Sequence, residues 1–269
     1  MSGLPVPCPD PDPYARWRQA LAEADRVFAP PPPLDRPVDG CTFCFPESDL
    51  RLLGGDPAAV PDDLLGAFMR EVTSHWDKDQ YAVIWRRLMP RALRYWGPHG
   101  HDVDPAGELG RLGADGAGFL NWPAPERAVV ERAFRALLSI AVTDGGCVGE
   151  VTALLEGIAH ATDDLRRWLE VIAGLTGPAA DAGLVRLVFD WTTDLLWEDF
   201  GFSWWYDGDP GTIAAWLPTQ RARVAAFAAR HPRCKTAADA VSALDALAAG
   251  DHSPWPYPHS FKDCLPLAT

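Results

Sequence analysis

Four consecutive residues, Cys41-Thr42-Phe43-Cys44, carry the sharpest chemical signal in this chain. Two thiols separated by two residues can face one metal ion or close on each other as a redox pair. A structural zinc site takes four ligands, and thiolate sulfur suits that ion. The sequence has no second Cys-x-x-Cys, so further ligands must come from isolated residues such as His75, Cys8 or Cys264. The metal set nominated here is Cys41, Cys44 and His75, with zinc as the ion. Redox use has less behind it, because thioredoxin-type motifs join a strand to a helix and no strand pattern surrounds this one. Two free thiols packed at a helix start fit the same residues.

Other polar clusters carry less. His99-Gly100-His101-Asp102-Val103-Asp104 offers four potential ligands in six residues, but Pro98 and Gly100 also mark an ordinary turn. In His160-Ala161-Thr162-Asp163-Asp164, Thr162 reads as an N-cap with acidic first-turn residues behind it. Neither Asp62-Asp63 nor Asp163-Asp164 extends to the aspartate-rich motif of a terpene cyclase. There is no Gly-x-Ser-x-Gly elbow, no Gly-rich phosphate loop and no His-Glu-x-x-His. No catalytic residue is nominated.

The second candidate is apolar. Twelve tryptophans are present, and most, including Trp85, Trp168 and Trp191, fall on helical stripes that belong in a core. The run from Trp197 through Phe202, Trp204, Trp205 and Tyr206 to Asp207 places aromatics consecutively, so a single helical face cannot cover them all. These residues form a candidate contact surface for a partner protein or a small apolar ligand. The same run could instead cap the bundle or meet the tail Trp255-Pro256-Tyr257-Pro258.

The elements that must position these groups are helical. Proline-rich flanks, PCPDPDP and the stretch from Ala29 to Pro37, bracket one short helix over 14–28. Together they make residues 1–40 an arm ahead of a single domain over 41–269. Pro61-Asp62-Asp63 starts a helix that should reach about His75, and the next should begin near Asp79 with Pro90 kinking or splitting it. Stripes at 3.6-residue spacing follow: Val130, Phe134, Leu137 and Ala141; Val151, Leu154, Leu155 and Ile158; Leu165, Trp168, Leu169 and Ile172. Leu184, Leu187, Val188, Trp191 and Leu195 make another, and Ala237, Val241, Leu244 and Leu247 the last. Short breaks imply antiparallel neighbours. The expected fold is all-α, an irregular multi-helix bundle or a HEAT-like array of helical hairpins; no repeat of fixed period favours the latter.

The segment 41–93 resembles a group of bacterial proteins without an assigned activity. The likeness rests on Cys41-Thr42-Phe43-Cys44, Glu47 with Leu50-Arg51-Leu52-Leu53, Pro61-Asp62-Asp63-Leu64-Leu65, His75-Trp76-Asp77, and Arg86-Arg87-Leu88-Met89-Pro90-Arg91. In that group a histidine often precedes the first cysteine, where this chain has Gly40. The resemblance implies that the Cys-x-x-Cys corner and His75-Trp76-Asp77 form one structural unit.

Composition bounds the rest. The 269 residues carry a net charge of −13, which repels nucleic-acid phosphates and suits solubility or a basic protein partner. No run approaches the ~20 apolar residues of a membrane span. The start has neither a basic nor an apolar leader region, so a cytoplasmic protein with reduced thiols is expected. The first functional expectation is a non-enzymatic interaction or regulatory module, an acidic inhibitor or immunity-type partner. The alternative is a metal-binding protein or accessory enzyme, using Cys41 and Cys44 or a tryptophan-lined apolar pocket.

Overall fold

Twelve α-helices make up the described part of the chain. The structure, a computed structural model, describes residues 12–28, 34, 36–98, 104–144, 148–196 and 209–251. The helices are α1 (Pro13–Val27), α2 (Glu47–Gly54), α3 (Asp62–Arg70), α4 (Lys78–Tyr95), α5 (Pro105–Gly110) and α6 (Ala124–Thr143). Then come α7 (Val148–Thr162), α8 (Leu165–Ala173), α9 (Pro178–Leu196), α10 (Asp209–Trp216), α11 (Arg221–Arg230) and α12 (Lys235–Ala249). Among the described residues the only extended pairing outside helices is one antiparallel bridge, Gly40 to Trp76. The chain is therefore an all-α multi-helix fold. No described helix is long and apolar enough to cross a membrane.

Aspartate caps set several starts. Asp12, Asp77 and Asp104 accept from Tyr14, Gln80 and Gly107 backbone N–H groups, filling donors that a first turn leaves free. The helix α6 lies at the centre and packs on α1, α7, α8 and α9. Its stripe residues Val130, Phe134 and Leu137 are buried, as are Trp85, Trp168 and Trp191. Each buried tryptophan removes roughly 150–250 Å² from water, which makes these rings principal contributors to the core. The helix of the proline-flanked arm joins the same core, with Trp17, Ala20 and Ala24 buried along α1.

Three local expectations change. The helix expected to reach His75 ends at Arg70, and Glu71 leaves with extended backbone (φ −68°, ψ 148°). Its amide still bonds Ala67 and Phe68 carbonyls, and the β-branched Val72 that follows is likewise extended (φ −68°, ψ 141°). Pro90 does not split α4, which runs unbroken from Lys78 to Tyr95. The cap of α8 is Asp164 rather than Thr162. Thr162 still belongs to α7: its hydroxyl donates to Ile158 O and accepts from the Trp168 indole. Asp163 then turns left-handed (φ 53°), and Asp164 accepts from Arg167 N.

Candidate metal centre

Two segments distant in sequence meet at one corner of the fold. The first, residues 36–46, carries the Gly40 bridge and turns over 42–44. The second joins α3 to α4 through a 3₁₀ turn, Thr73–His75. Cys41 N donates to His75 O at 3.0 Å, and Asp77 N donates to Asp39 O at 3.1 Å. Gln80, almost fully buried at the start of α4, reinforces the pairing: its Nε2 donates to Pro37 O and its Oε1 accepts from Asp39 N. An Arg36–Asp77 ion pair closes the outer side.

Aromatic packing fixes the corner on the core. Phe45 and Phe68 lie against Trp76, with ring centres 5.0 and 5.2 Å away, and Phe68 passes the contact to Trp85 at 5.2 Å. Gly40 is required here. A Cβ at that position would stand 2.8 Å from the Trp76 ring and 2.9 Å from Leu50. That side of residue 40 faces the packed interior.

The turn itself is built for thiolate chemistry. Cys44 N and Phe45 N both donate to Cys41 O, at 3.1 and 2.9 Å, which curls residues 41–45 around one point. The Cys44 amide, the Cys44 thiol and the Phe43 amide all bond the Cys41 sulfur, and these donors hold its pKa below the ordinary thiol value. Cys44 is pushed the other way, up to about 11, because the neighbouring Cys41 sulfur, partial desolvation and the nearby Glu71 carboxylate all favour its neutral thiol.

The structure brings the three nominated residues together. One donor atom from each of Cys41, Cys44 and His75 lies within 4.8 Å of the other two, and among the described residues this is the only such group. Cys44 Sγ is 3.4 Å from His75 Nδ1. A tetrahedral zinc, with sulfur at about 2.3 Å and nitrogen or oxygen at about 2.0 Å, separates its ligand atoms by about 3.3–3.8 Å. The donor types suit zinc, and the 3.4 Å between Cys44 and His75 falls in that range. Neither thiol is packed inside: Cys41 is half-buried and Cys44 exposed, both with free sulfurs. Between them Phe43 is 97% exposed.

Sequence reasoning overlooked Glu71. Its Oε1 lies 3.1 Å from His75 Nδ1 and accepts from Val72 N at 2.8 Å. No helical face joins the two residues, since α3 ends at Arg70 and His75 lies in the following 3₁₀ turn, so spacing carried no signal for this contact.

The other candidates divide. The aromatic set Trp197, Phe202, Trp204, Trp205, Tyr206 and Asp207 lies outside the described residues, as do His99–Val103, Cys8 and Cys264. Asp104 caps α5. His160 is half-buried beside Gly113, where burial lowers its pKa. The tryptophans Trp85, Trp168 and Trp191 fill the core. One cleft of about 300 Å³ includes Trp122, but shares it with Val83, Arg86 and Asn121. No protein-family model, curated protein or solved structure matches the chain.

Proposed function

We propose that this chain is a zinc-binding helical protein, with the ion held by Cys41, Cys44 and His75 and serving structure rather than catalysis. The observation that carries the reading is the convergence of three donors, within 4.8 Å of one another, from two separate segments. The backbone bridge and the Gln80 bonds hold those segments in place before any ion arrives. Zinc there would staple the turn before α2 to the α3–α4 junction, and its binding energy would add to folding energy. The reading is tested by elemental analysis of protein purified without chelator and reloaded under reducing conditions. The expected result is about one zinc per chain, falling below about 0.2 in Cys44→Ser and in His75→Ala, because two donors rarely retain the ion. A wild-type chain that stays below about 0.2 equivalents overturns it.

The exposed Phe43 favours a second reading, in which the same corner is a contact site for a protein partner. A large apolar ring at the tip of a stapled turn is a ready anchor for a hydrophobic pocket. Phe43→Ser should leave zinc content and melting temperature unchanged while abolishing co-purification of a stoichiometric partner from the native host. Equal recovery with wild type and variant removes this reading.

A further inference from the structure

Glu71 differs from four other covered carboxylates among the described residues. Glu108, Glu126, Glu131 and Asp181 each meet an arginine, respectively Arg70, Arg86, Arg167 and the pair Arg223 and Arg230. The Glu71 side chain is only 20% exposed, yet among the described residues its ion-pair partner is His75 alone. The His75 Nδ1 that Glu71 meets is the same atom that lies 3.4 Å from Cys44 Sγ, so the carboxylate borders the three-donor group.

From this placement we propose that Glu71 supplies the fourth ligand and closes a tetrahedron of two thiolates, one imidazole and one carboxylate around a single zinc ion. The proposal rests on the zinc reading above. The 3.1 Å between Glu71 Oε1 and His75 Nδ1 is close to the about 3.3 Å expected of two light ligand atoms on one tetrahedral zinc. Glu71 lies outside the group whose donors are all within 4.8 Å of one another. Its two methylenes let the carboxylate swing inward while the backbone stays fixed by Val72 N and the bridge. Both cysteines bind as thiolates, so binding releases the thiol protons of Cys41 and Cys44 to solvent. The product is a closed site of the structural type, without the open position that a catalytic zinc keeps.

The test compares wild type with Glu71→Gln and Glu71→Ala, using zinc affinity by chelator competition and the visible spectrum of the cobalt(II) form. Circular dichroism of each metal-free variant confirms folding. Glu71→Gln and Glu71→Ala should weaken zinc at least about 10-fold and shift cobalt bands away from the four-coordinate pattern. If Glu71→Gln binds as tightly as wild type with the same cobalt spectrum, Glu71 is not a ligand, and the three-donor site stands without it. Failure of wild type to take up zinc is a separate result and removes the zinc reading itself.

Discussion

Cys41 and Cys44 share one turn but not one acidity. Backbone and side-chain donors pull Cys41 below the ordinary thiol value, whereas the neighbouring Cys41 sulfur and the nearby Glu71 push Cys44 up to about 11. At neutral pH Cys44 therefore still holds its proton, and a metal must displace it. The sign follows: protons compete with the ion, so affinity rises with pH. Between pH 6.5 and 7.5 zinc affinity should increase at least about 10-fold, the slope of one released proton; chelator competition at the two pH values measures it, and a flat profile contradicts thiol displacement. The cysteine pair was readable from spacing alone. His75 entered only as one isolated candidate among three, because its partner segment lies far upstream and the bridge joining them leaves no local signature. Glu71 was passed over because only cysteine and histidine were weighed as further ligands, and the exit at Arg70 that places it beside His75 is not marked in the sequence.

At the scale of elements, the corner is positioned by what the helices leave between them. The turn before α2 is anchored by Gln80 on α4, and α4 also reaches back through Arg87 to Gly55 O and through Arg91 to Pro57 O, Val60 O and Asp62. The arginines around Leu88-Met89-Pro90 thus bind the carbonyls of the α2–α3 connection, a role that their sequence alone could not assign. Gly40 is the most exacting position, because a methyl group there meets Trp76 at 2.8 Å and Leu50 at 2.9 Å. Gly40→Ala should destabilise the protein by about 1–3 kcal/mol, the usual cost of overpacking, and weaken zinc together with it. Urea denaturation measures the first effect, and unchanged stability would show that the bridge is looser than described. The apolar stripes were legible because burial follows a 3.6-residue period. Cap positions were less so: Thr162 and Asp164 are both good caps by type, and the Trp168 indole decides between them.

Across the whole molecule, the chain is a helical body whose core is continuous from α1 to α12. An aromatic series links its interior to the candidate centre: Trp85 touches Trp96, Trp96 touches Phe134, and Phe134 touches Trp168, with ring centres 6.0, 6.5 and 6.4 Å apart. The all-α class was legible in the sequence, since every stripe had helical spacing and no run alternated. Which helices touch was not, because α6 owes its central place to long-range packing. Zinc at the corner would couple a surface turn to that packed interior. X-ray absorption at the zinc edge of the purified protein tests this most directly. Two sulfur neighbours at about 2.3 Å and two nitrogen or oxygen neighbours at about 2.0 Å are predicted, whereas bound zinc without sulfur in its shell, or no bound zinc, would contradict the account.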